Sequence, residues 1–278
     1  MKIILFPTDF SKCAIHASHY AAMLAKIYEA KIILLNVAYI PTVPANHHSQ
    51  EEAQEEVSIS MKKAQEDLEA FKKQFIEETK TNPTQVLVQV VYGYPADKIV
   101  LEAKYLNVDM IVMGTKGANN FLDKWLGTNA QKVMKNAHCP VWTVPLSATI
   151  KSPKKIMYAA DLKEDEMLAT QKVVKITEPF GAFCKVIHVS DISKPLKKSV
   201  VKGLVKAINE EFKEEDIFAR NFNRDDIIEG LESYMESFKP DVLALAVHKK
   251  SFLERFFNKS VTKHFVQVSQ LPLLTFKK

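Results

Sequence analysis

Three of the seven glycines in this 278-residue chain lie within fourteen residues, at Gly114, Gly117 and Gly127. They directly follow an apolar run, 109–113, and Gly127 precedes a threonine that can begin a helix. Because glycine has no side chain, a loop between a strand and a helix can bring its backbone N–H groups close to a phosphate chain. This spacing predicts a nucleotide-binding loop. The alternative is a tight turn at Gly114 and a glycine before the helix, with no ligand.

Apolar runs and amphipathic segments alternate through the first half of the sequence. Runs such as 31–37 are typical of strands in a parallel sheet that is covered on both faces. The segment 49–80 is rich in Glu, Lys and Gln, with apolar residues every three or four positions, which predicts a long amphipathic helix. The predicted strands are 2–6, 31–37, 84–91, 109–113 and 140–144, and the other predicted helices follow Ser11, span 95–106 and follow Gly127. The alternation predicts βαβ units and a mostly parallel α/β sheet.

The charge distribution does not favour a nucleic-acid partner. The formal net charge is +5, but residues 1–150 contain 15 lysines and 15 acidic residues, so the excess lies in the remainder. The basic residues are scattered among acidic ones, without the stripe or aromatic interleaving of a nucleic-acid surface. No apolar run approaches the length of a membrane span, and the first residues do not resemble a signal peptide. We therefore expect a cytoplasmic protein without a membrane partner.

The cysteines and histidines give no sign of a metal centre. Cys13, Cys139 and Cys184 are far apart and odd in number, so we expect reduced thiols rather than a disulfide framework or a zinc site. The pair 47–48, two histidines, is isolated and predicts a solvated loop. The site therefore has no predicted metal ligand.

The second half of the chain repeats the first at the scale of a domain. A polar segment around 146–153 separates the two halves. The matching segments are 4–9 with 156–161, 36–37 with 188–189, 109–113 with 241–245, and 140–143 with 272–275. The last two matches share one offset of 132 positions. This predicts an internal duplication of a whole domain rather than a short solenoid repeat.

The repeat has lost the glycines that define the loop. At the same offset, Ala246, Lys249 and Lys259 replace the three glycines, although Ser260 replaces Thr128 and could still cap a helix. Side chains at these positions would obstruct a close approach of the backbone to a ligand. We expect the second half to keep the frame of the site without its ligand-binding residues.

Taken together, these residues resemble the universal stress protein family. The matching segments are Pro-Thr-Asp-Phe-Ser at 7–11, Gly-Tyr-Pro-Ala at 93–96, the strand and loop 109–117, Gly-Thr at 127–128, and Cys-Pro-Val at 139–141. The second half resembles a diverged copy, so the chain is similar to the tandem members. The resemblance implies two tandem doubly wound domains, 1–148 and 149–278, each a five-stranded parallel sheet with helices on both faces. It also implies pairing of the two halves with each other, or a homodimer.

The nucleotide-binding members of this family carry Gly-x2-Gly-x9-Gly-Ser/Thr, which this sequence satisfies. The resemblance therefore implies an ATP site, with or without magnesium. Pro7 and Asp9 would lie near the adenosine, with Asp9 contacting ribose, and Val37 would present backbone atoms to adenine. Met113 and Gly114 would lie at the nucleoside side of the loop, and the phosphates would face Lys116, Gly117, Gly127, Thr128 and Asn129. Asn129 departs from the small apolar residue usual there, which leaves its N–H group as the expected contact.

Three of these residues have simpler interpretations. Asp9 follows the first strand at its carboxyl end, where open α/β sheets bind ligands, but an aspartate there can also stabilise a turn or cap a helix. Lys116 can be an ordinary solvated lysine. Thr128 can cap its helix when no phosphate is present.

Three functional hypotheses follow. The first is an ATP-binding stress-response regulator that acts through an unidentified protein partner and has no catalytic residues. The second is a slow ATPase or phosphotransferase, against which the sequence lacks Gly-x4-Gly-Lys-Ser/Thr and an acidic pair for magnesium. The third is a scaffold or ligand sensor acting through the second half, where basic residues occupy the position of the former loop: His248, Lys249, Lys250, Arg255 and Lys259.

Overall fold

The computed structural model describes residues 2–38, 50–116, 126–160, 165–191, 198–212, 217–224, 227–247 and 270–277. The chain divides into two compact units: apart from Leu126, which is grouped with the second unit, the described residues of the first end at Leu146 and those of the second begin at Ser147. Among the described residues, no helix is both long enough and apolar enough to cross a bilayer. Each unit is a parallel sheet with connecting helices.

The first unit alternates strands and helices along the chain. Its elements are β1 (Ile3–Pro7), α1 (Lys12–Tyr28), β2 (Lys31–Ala38), α2 (Gln50–Thr79), β3 (Val86–Tyr92), α3 (Pro95–Tyr105), β4 (Met110–Gly114), α4 (Thr128–Asn136) and β5 (Val141–Val144). These elements match the strands and helices predicted from apolar periodicity. The third helix ends one residue before the predicted Leu106, and β3 begins two residues late because Pro83–Gln85 form a 3-10 turn capped by the Asn82 side chain.

The strand order of the first unit creates a reversal between β1 and β4. The order is β3-β2-β1-β4-β5, and every strand pair is parallel. Because crossovers between parallel strands are right-handed, helices on the two sides of the reversal lie on opposite faces. In agreement, α1 packs with α2, and α3 packs with α4. The reversal opens a crevice at the carboxyl ends of β1 and β4, where such sheets bind ligands.

The second unit has the same order of strands. Its elements are β6 (Lys155–Ala160), α5 (Glu166–Thr177), β7 (Phe183–Asp191), α6 (Lys198–Glu211), β8 (Ile217–Arg224), α7 (Ile227–Phe238), β9 (Val242–Val247) and β10 (Leu273–Lys277). The order β8-β7-β6-β9-β10, all parallel, repeats the first unit strand by strand. The two tandem doubly wound folds expected from the sequence are therefore present.

An aspartate fixes the amino-terminal edge of each sheet. Asp109, just before β4, accepts hydrogen bonds through Oδ2 from the backbone N–H groups of Lys2 (2.7 Å) and Ile3 (2.9 Å) at the start of β1. Asp241 does the same before β9, accepting from Lys154 (2.8 Å) and Lys155 (2.9 Å). These bonds join the starts of two strands that are distant in sequence.

The Asp241 carboxylate also forms an ion pair. Lys151 Nζ lies 2.6 Å from Asp241 Oδ1. Burial alone would raise the pKa of this carboxyl group. The hydrogen bond and positive charge of Lys151, together with the hydrogen bonds from the two backbone N–H groups, lower the pKa by more than burial raises it. The pKa of Asp241 is therefore lowered from its ordinary value of 3.8.

Candidate functional site

A cavity of about 750 Å³ lies at the carboxyl ends of the strands in the first unit. Its walls are the residues that end or follow β1, β2 and β4, the first turns of α3 and α4, and one face of α2. A volume of this size is typical of pockets that enclose a small ligand. The cavity thus occupies the crevice that the strand order creates.

Nine of the ten residues predicted from the sequence line this one cavity. They come from four separate parts of the chain: Pro7, Asp9, Val37, Met113, Gly114, Lys116, Gly127, Thr128 and Asn129. The tenth, Gly117, lies outside the described residues. The structure therefore brings the described members of the predicted set together.

The turn after β1 is held by hydrogen bonds to β2. The Thr8 N–H group donates to the carbonyl of Leu35 at 2.9 Å, and the Asn36 side chain donates to the carbonyl of Thr8 at 2.8 Å. Asp9 Oδ1 accepts from the Ser11 N–H group at 3.1 Å, and Phe10 adopts a positive φ of 61°. Asp9 thus stabilises the turn, as one interpretation of the sequence expected, while its exposed side chain faces the cavity.

Val37 offers main-chain groups at the open tip of β2. The pairing of β1 with β2 ends at Pro7 and Leu35, and the Leu35 carbonyl still accepts from the turn. Main-chain groups of residues two apart in a strand point to the same side, so Val37 directs its N–H and C=O groups past the end of β1. The Ala38 carbonyl points to the other side, where it accepts from Gly93 at 3.0 Å. An adjacent donor and acceptor of this kind can recognise the edge of a flat heterocycle.

Gly114 is required by the close packing of α1. It is the last residue of β4, and its φ is not in the left-handed region. A Cβ atom at this position would lie 3.0 Å from Cys13 Sγ and 3.2 Å from the backbone carbon and oxygen of Cys13. The missing side chain therefore lets the first turn of α1 approach the end of β4, in addition to leaving space beside the cavity.

The amino terminus of α4 points its N–H groups toward the cavity. Gly127 is the N-cap residue, with φ −68° and ψ 154°, and no side chain caps the helix. The first hydrogen bond within the helix runs from Gln131 N–H to the Gly127 carbonyl at 3.1 Å. The N–H groups of Thr128, Asn129 and Ala130 thus have no helical acceptor, and all three residues line the cavity. This terminus is suited to bind an anion.

Backbone hydrogen bonds hold both described ends of the loop between β4 and α4. The Gly127 N–H group donates to the Thr115 carbonyl at 2.6 Å, and the Thr115 N–H group donates to the Val144 carbonyl at 3.2 Å. The amino terminus of α4 therefore lies beside the end of β4. This arrangement brings Lys116 and the first turn of α4 to the same wall of the cavity.

The wall formed by α2 was not predicted from the sequence. Ser60, Lys63, Ala64 and Asp67 line the cavity and lie on one face of the helix. Further along α2, the Phe71 ring stacks on Phe6 of β1 at a centroid distance of 6.4 Å and meets the edge of Phe10 at 5.8 Å. The helical periodicity identified the buried face of α2, but it gave no signal for which polar residues face a ligand.

The charges of the described residues that line the cavity are balanced. Two lysines, Lys63 and Lys116, and two aspartates, Asp9 and Asp67, face the same space. No group of three or more metal-ligating side chains occurs in the described ranges. With the amino terminus of α4, this arrangement provides donors for an anion at one wall and acceptors for hydroxyl groups near β1.

One hydrogen bond near the cavity of the first unit has a counterpart in the second unit. His188 of β7 contacts the Ala160 carbonyl through Nδ1 at 2.9 Å, and because a carbonyl only accepts, Nδ1 carries the proton. Asn36 and Thr8 make the equivalent contact in the first unit, 152 positions earlier. Predictions that concern Asp161, the basic residues 248–250 and 255, and positions 259–260 fall outside the described residues.

Comparisons with known proteins assign a family to the first half. A sequence profile described as the Universal stress protein family matches residues 1–145. Universal stress protein MJ0531 of Methanocaldococcus jannaschii is 34% identical over 158 residues, which cover 55% of this chain and 84% of that protein. Universal stress protein MJ0577 of the same organism is 28% identical over 156 residues, covering 51% of this chain and 94% of that protein.

A solved structure extends the similarity in fold to the whole chain. The crystal structure of a universal stress protein from Archaeoglobus fulgidus matches with a TM-score of 0.72, covering 99% of this chain and 96% of that one. The sequence identity is 18%, so this match concerns the fold alone.

Proposed function

The chain belongs to the universal stress protein family, and on that premise we propose that its first unit binds ATP and acts as a nucleotide-dependent stress-response regulator. The observation that carries this proposal is the convergence of nine predicted residues on one cavity of about 750 Å³. They come from β1, β2, β4 and α4, which are distant in sequence. A binding site explains why these residue types meet at the reversal of the sheet.

The cavity offers complementary groups for each part of the nucleotide. Val37 supplies an adjacent main-chain donor and acceptor for adenine, and Asp9 supplies a carboxylate for ribose hydroxyl groups. The phosphates bind at the amino terminus of α4, whose N–H groups and dipole favour an anion by about 0.3–1 kcal/mol or more. Lys116 adds a positive charge beside them. Any magnesium ion would accompany the phosphates rather than a cluster of protein carboxylates.

A charge placed at the first residue of α4 tests this proposal. Thr128 is exposed and lines the cavity. Thr128→Glu should preserve the helix, since an acidic residue in the first turn is favourable to the dipole, yet should repel a triphosphate. We expect ATP affinity to fall by at least about tenfold, which corresponds to about 1.4 kcal/mol. Thr128→Val is the matched control, because it has similar volume and no charge.

Isothermal titration of the full chain with ATP, with and without magnesium, provides the measurement. Circular dichroism and thermal melting verify that both variants remain folded. If the folded wild-type protein bound no ATP, the proposed function would be wrong. Equal ATP affinity in wild type and Thr128→Glu would remove the phosphate-binding role of α4.

A further inference from the structure

Helix α2 brings a second lysine to the cavity from a different wall. Lys63 lines the cavity, as do Ser60 and Asp67 on the same face of the helix, whereas the neighbouring Lys62 does not. Lys116, the other cavity lysine, follows β4. Two positive charges on separate elements thus line one open cavity.

The position of Lys63 is set by the core rather than by surface contacts. Leu68 is fully buried in α2, and Phe71 is fixed between Phe6 and Phe10. Since α2 is a continuous helix from Gln50 to Thr79, these anchors also determine where residue 63 lies relative to the tips of β1 and β2. Lys63 can therefore contact a ligand without rearrangement of the helix.

Neither cavity lysine is engaged elsewhere in the described part of the chain. Asp67 lies four residues after Lys63, a spacing that permits an ion pair on a helix. The structure nevertheless shows no hydrogen bond or ion pair for Lys63, Asp67 or Lys116 among the described residues, whereas it does show the exposed pair Lys206–Glu210 at the same spacing. Within the described ranges, the ammonium group of Lys63 thus has no partner that an anionic ligand would have to displace.

We propose that Lys63 is a further ligand-binding residue that contacts the polyphosphate chain, so that the site selects nucleoside polyphosphates over monophosphates and nucleosides. This inference rests on the proposed function of the cavity. The amino terminus of α4 provides donors for one phosphate group, and each lysine provides a charge for another. A ligand with more phosphate groups offers more negative charge to these three donors, so we expect affinity to rise with phosphate number.

Two adjacent lysines of α2 give a matched pair of variants. Lys63→Met removes a charge that lines the cavity, and Lys62→Met removes the charge of a lysine on the same helix that is also exposed but does not line the cavity. Both changes leave the methylene stem largely intact and should keep the melting temperature unchanged. Titration of the full chain with ATP, ADP, AMP and adenosine then separates effects on the phosphates from effects on the nucleoside.

We expect Lys63→Met to weaken ATP binding by about tenfold, the loss typical of a charge-assisted hydrogen bond. The loss should shrink from ATP to ADP to AMP and should vanish for adenosine, while Lys62→Met remains within about twofold of wild type because it does not touch the ligand. Lys63→Arg should retain most of the ATP affinity, since the charge is kept.

Two results would overturn the role of Lys63 while leaving ATP binding intact. One is an equal ATP affinity for Lys63→Met and Lys62→Met. The other is an equal loss for ATP and adenosine, which would assign Lys63 to the nucleoside side. A wild-type protein that binds adenosine but not ATP would overturn both this inference and the proposed function, whatever the lysine variants show.

Discussion

Gly114 illustrates how one residue serves both the fold and the site. The sequence argument explained the glycine by the space that a ligand needs. The structure adds a packing requirement, because a Cβ atom there would lie 3.0 Å from Cys13 Sγ and 3.2 Å from the Cys13 backbone. No left-handed dihedral is involved at this position. The packing contact joins residues about one hundred positions apart, so the sequence alone could not reveal it.

Gly114→Ala should destabilise the protein by about 1–3 kcal/mol through overpacking against α1. In the double variant with Cys13→Ala, the contact with Sγ is absent, so the loss should be smaller than the sum of the two single losses. The contact with the Cys13 backbone remains and prevents complete relief. Urea unfolding of the four proteins measures this coupling, and simple additivity would contradict the packing explanation.

Gly203 provides a control of opposite sign. It lies within α6, and nothing is found within 4 Å of a Cβ atom placed on it. Gly203→Ala should therefore stabilise the protein by about 0.5–1 kcal/mol, because alanine loses less conformational freedom than glycine in a helix. The two substitutions add the same methyl group, but one places it against α1 at the end of a strand and the other places it in open space on a helix.

The sequence predicted the cavity residues next to strand ends, but not those contributed by α2. Residues next to strand ends, such as Asp9 and Val37, could be placed because parallel strands bring their carboxyl ends to one edge of a sheet. The contribution of α2 could not be placed in this way. Lys62 and Lys63 are identical in type and adjacent in sequence, and the packing of Leu68 and Phe71 in the core determines which of them lines the cavity.

At the scale of elements, the sequence predicted every strand and helix of the first unit, because strands and helices have different apolar periods. The late start of β3 had a local cause, since Asn82 accepts from Thr84 N–H at 3.0 Å and favours a 3-10 turn over an extended strand. The aspartates before β4 and β9 were matched by the repeat but had no predicted role. Their partners are backbone N–H groups, which carry no sequence signal.

Asp241→Asn should weaken the connection between the starts of β6 and β9. We expect a loss of about 1 kcal/mol at pH 7, at the low end for a charge-assisted hydrogen bond, because the carboxylate is partly screened by solvent. Lys151→Met, which removes the ion pair but keeps both backbone N–H donors, should cost less. Urea unfolding at pH 7 measures both, and a larger loss for Lys151→Met would assign the stabilisation to the ion pair instead.

The difference between wild type and Asp241→Asn should depend on pH with a defined sign. The folded protein holds the pKa of Asp241 below 3.8. The unfolded chain therefore takes up a proton first as the pH falls. The contribution of the carboxylate should be complete above about pH 5 and should disappear as the pH falls through 3.8 toward the folded pKa. Unfolding curves at pH 7, 5, 4 and 3 test this course, and a difference that grows on acidification would contradict it.

At the scale of the whole molecule, two units share one strand order while their site residues differ. The contact of Asn36 with Thr8 has a counterpart in His188 with Ala160, so in both units a side chain of the second strand is hydrogen-bonded to a backbone carbonyl at the carboxyl end of the first. The family profile matches residues 1–145, which lie in the first unit. We therefore propose that residues 1–148 and 149–278 are separate domains, with the nucleotide bound by the first.

The fragment 1–148 should fold and bind ATP with an affinity within about threefold of the full chain, because every described residue that lines the cavity belongs to the first unit. A saturating ligand at one hundred times its Kd should raise the stability of this fragment by about 2.7 kcal/mol. Fragment 149–278 should show no such increase. Thermal melting with and without ATP makes the comparison. ATP binding that required both fragments would contradict the proposed division.

Asp109 and the cavity lie at opposite ends of the strands of the first unit, since Asp109 contacts strand beginnings and the cavity contacts strand ends. A protein engineer could therefore change thermal stability by substitutions at one end of the strands and keep the ligand affinity of the cavity at the other end. A more heat-resistant version of this scaffold would be a practical starting point for a nucleotide sensor, because its recognition surface would not need to be rebuilt.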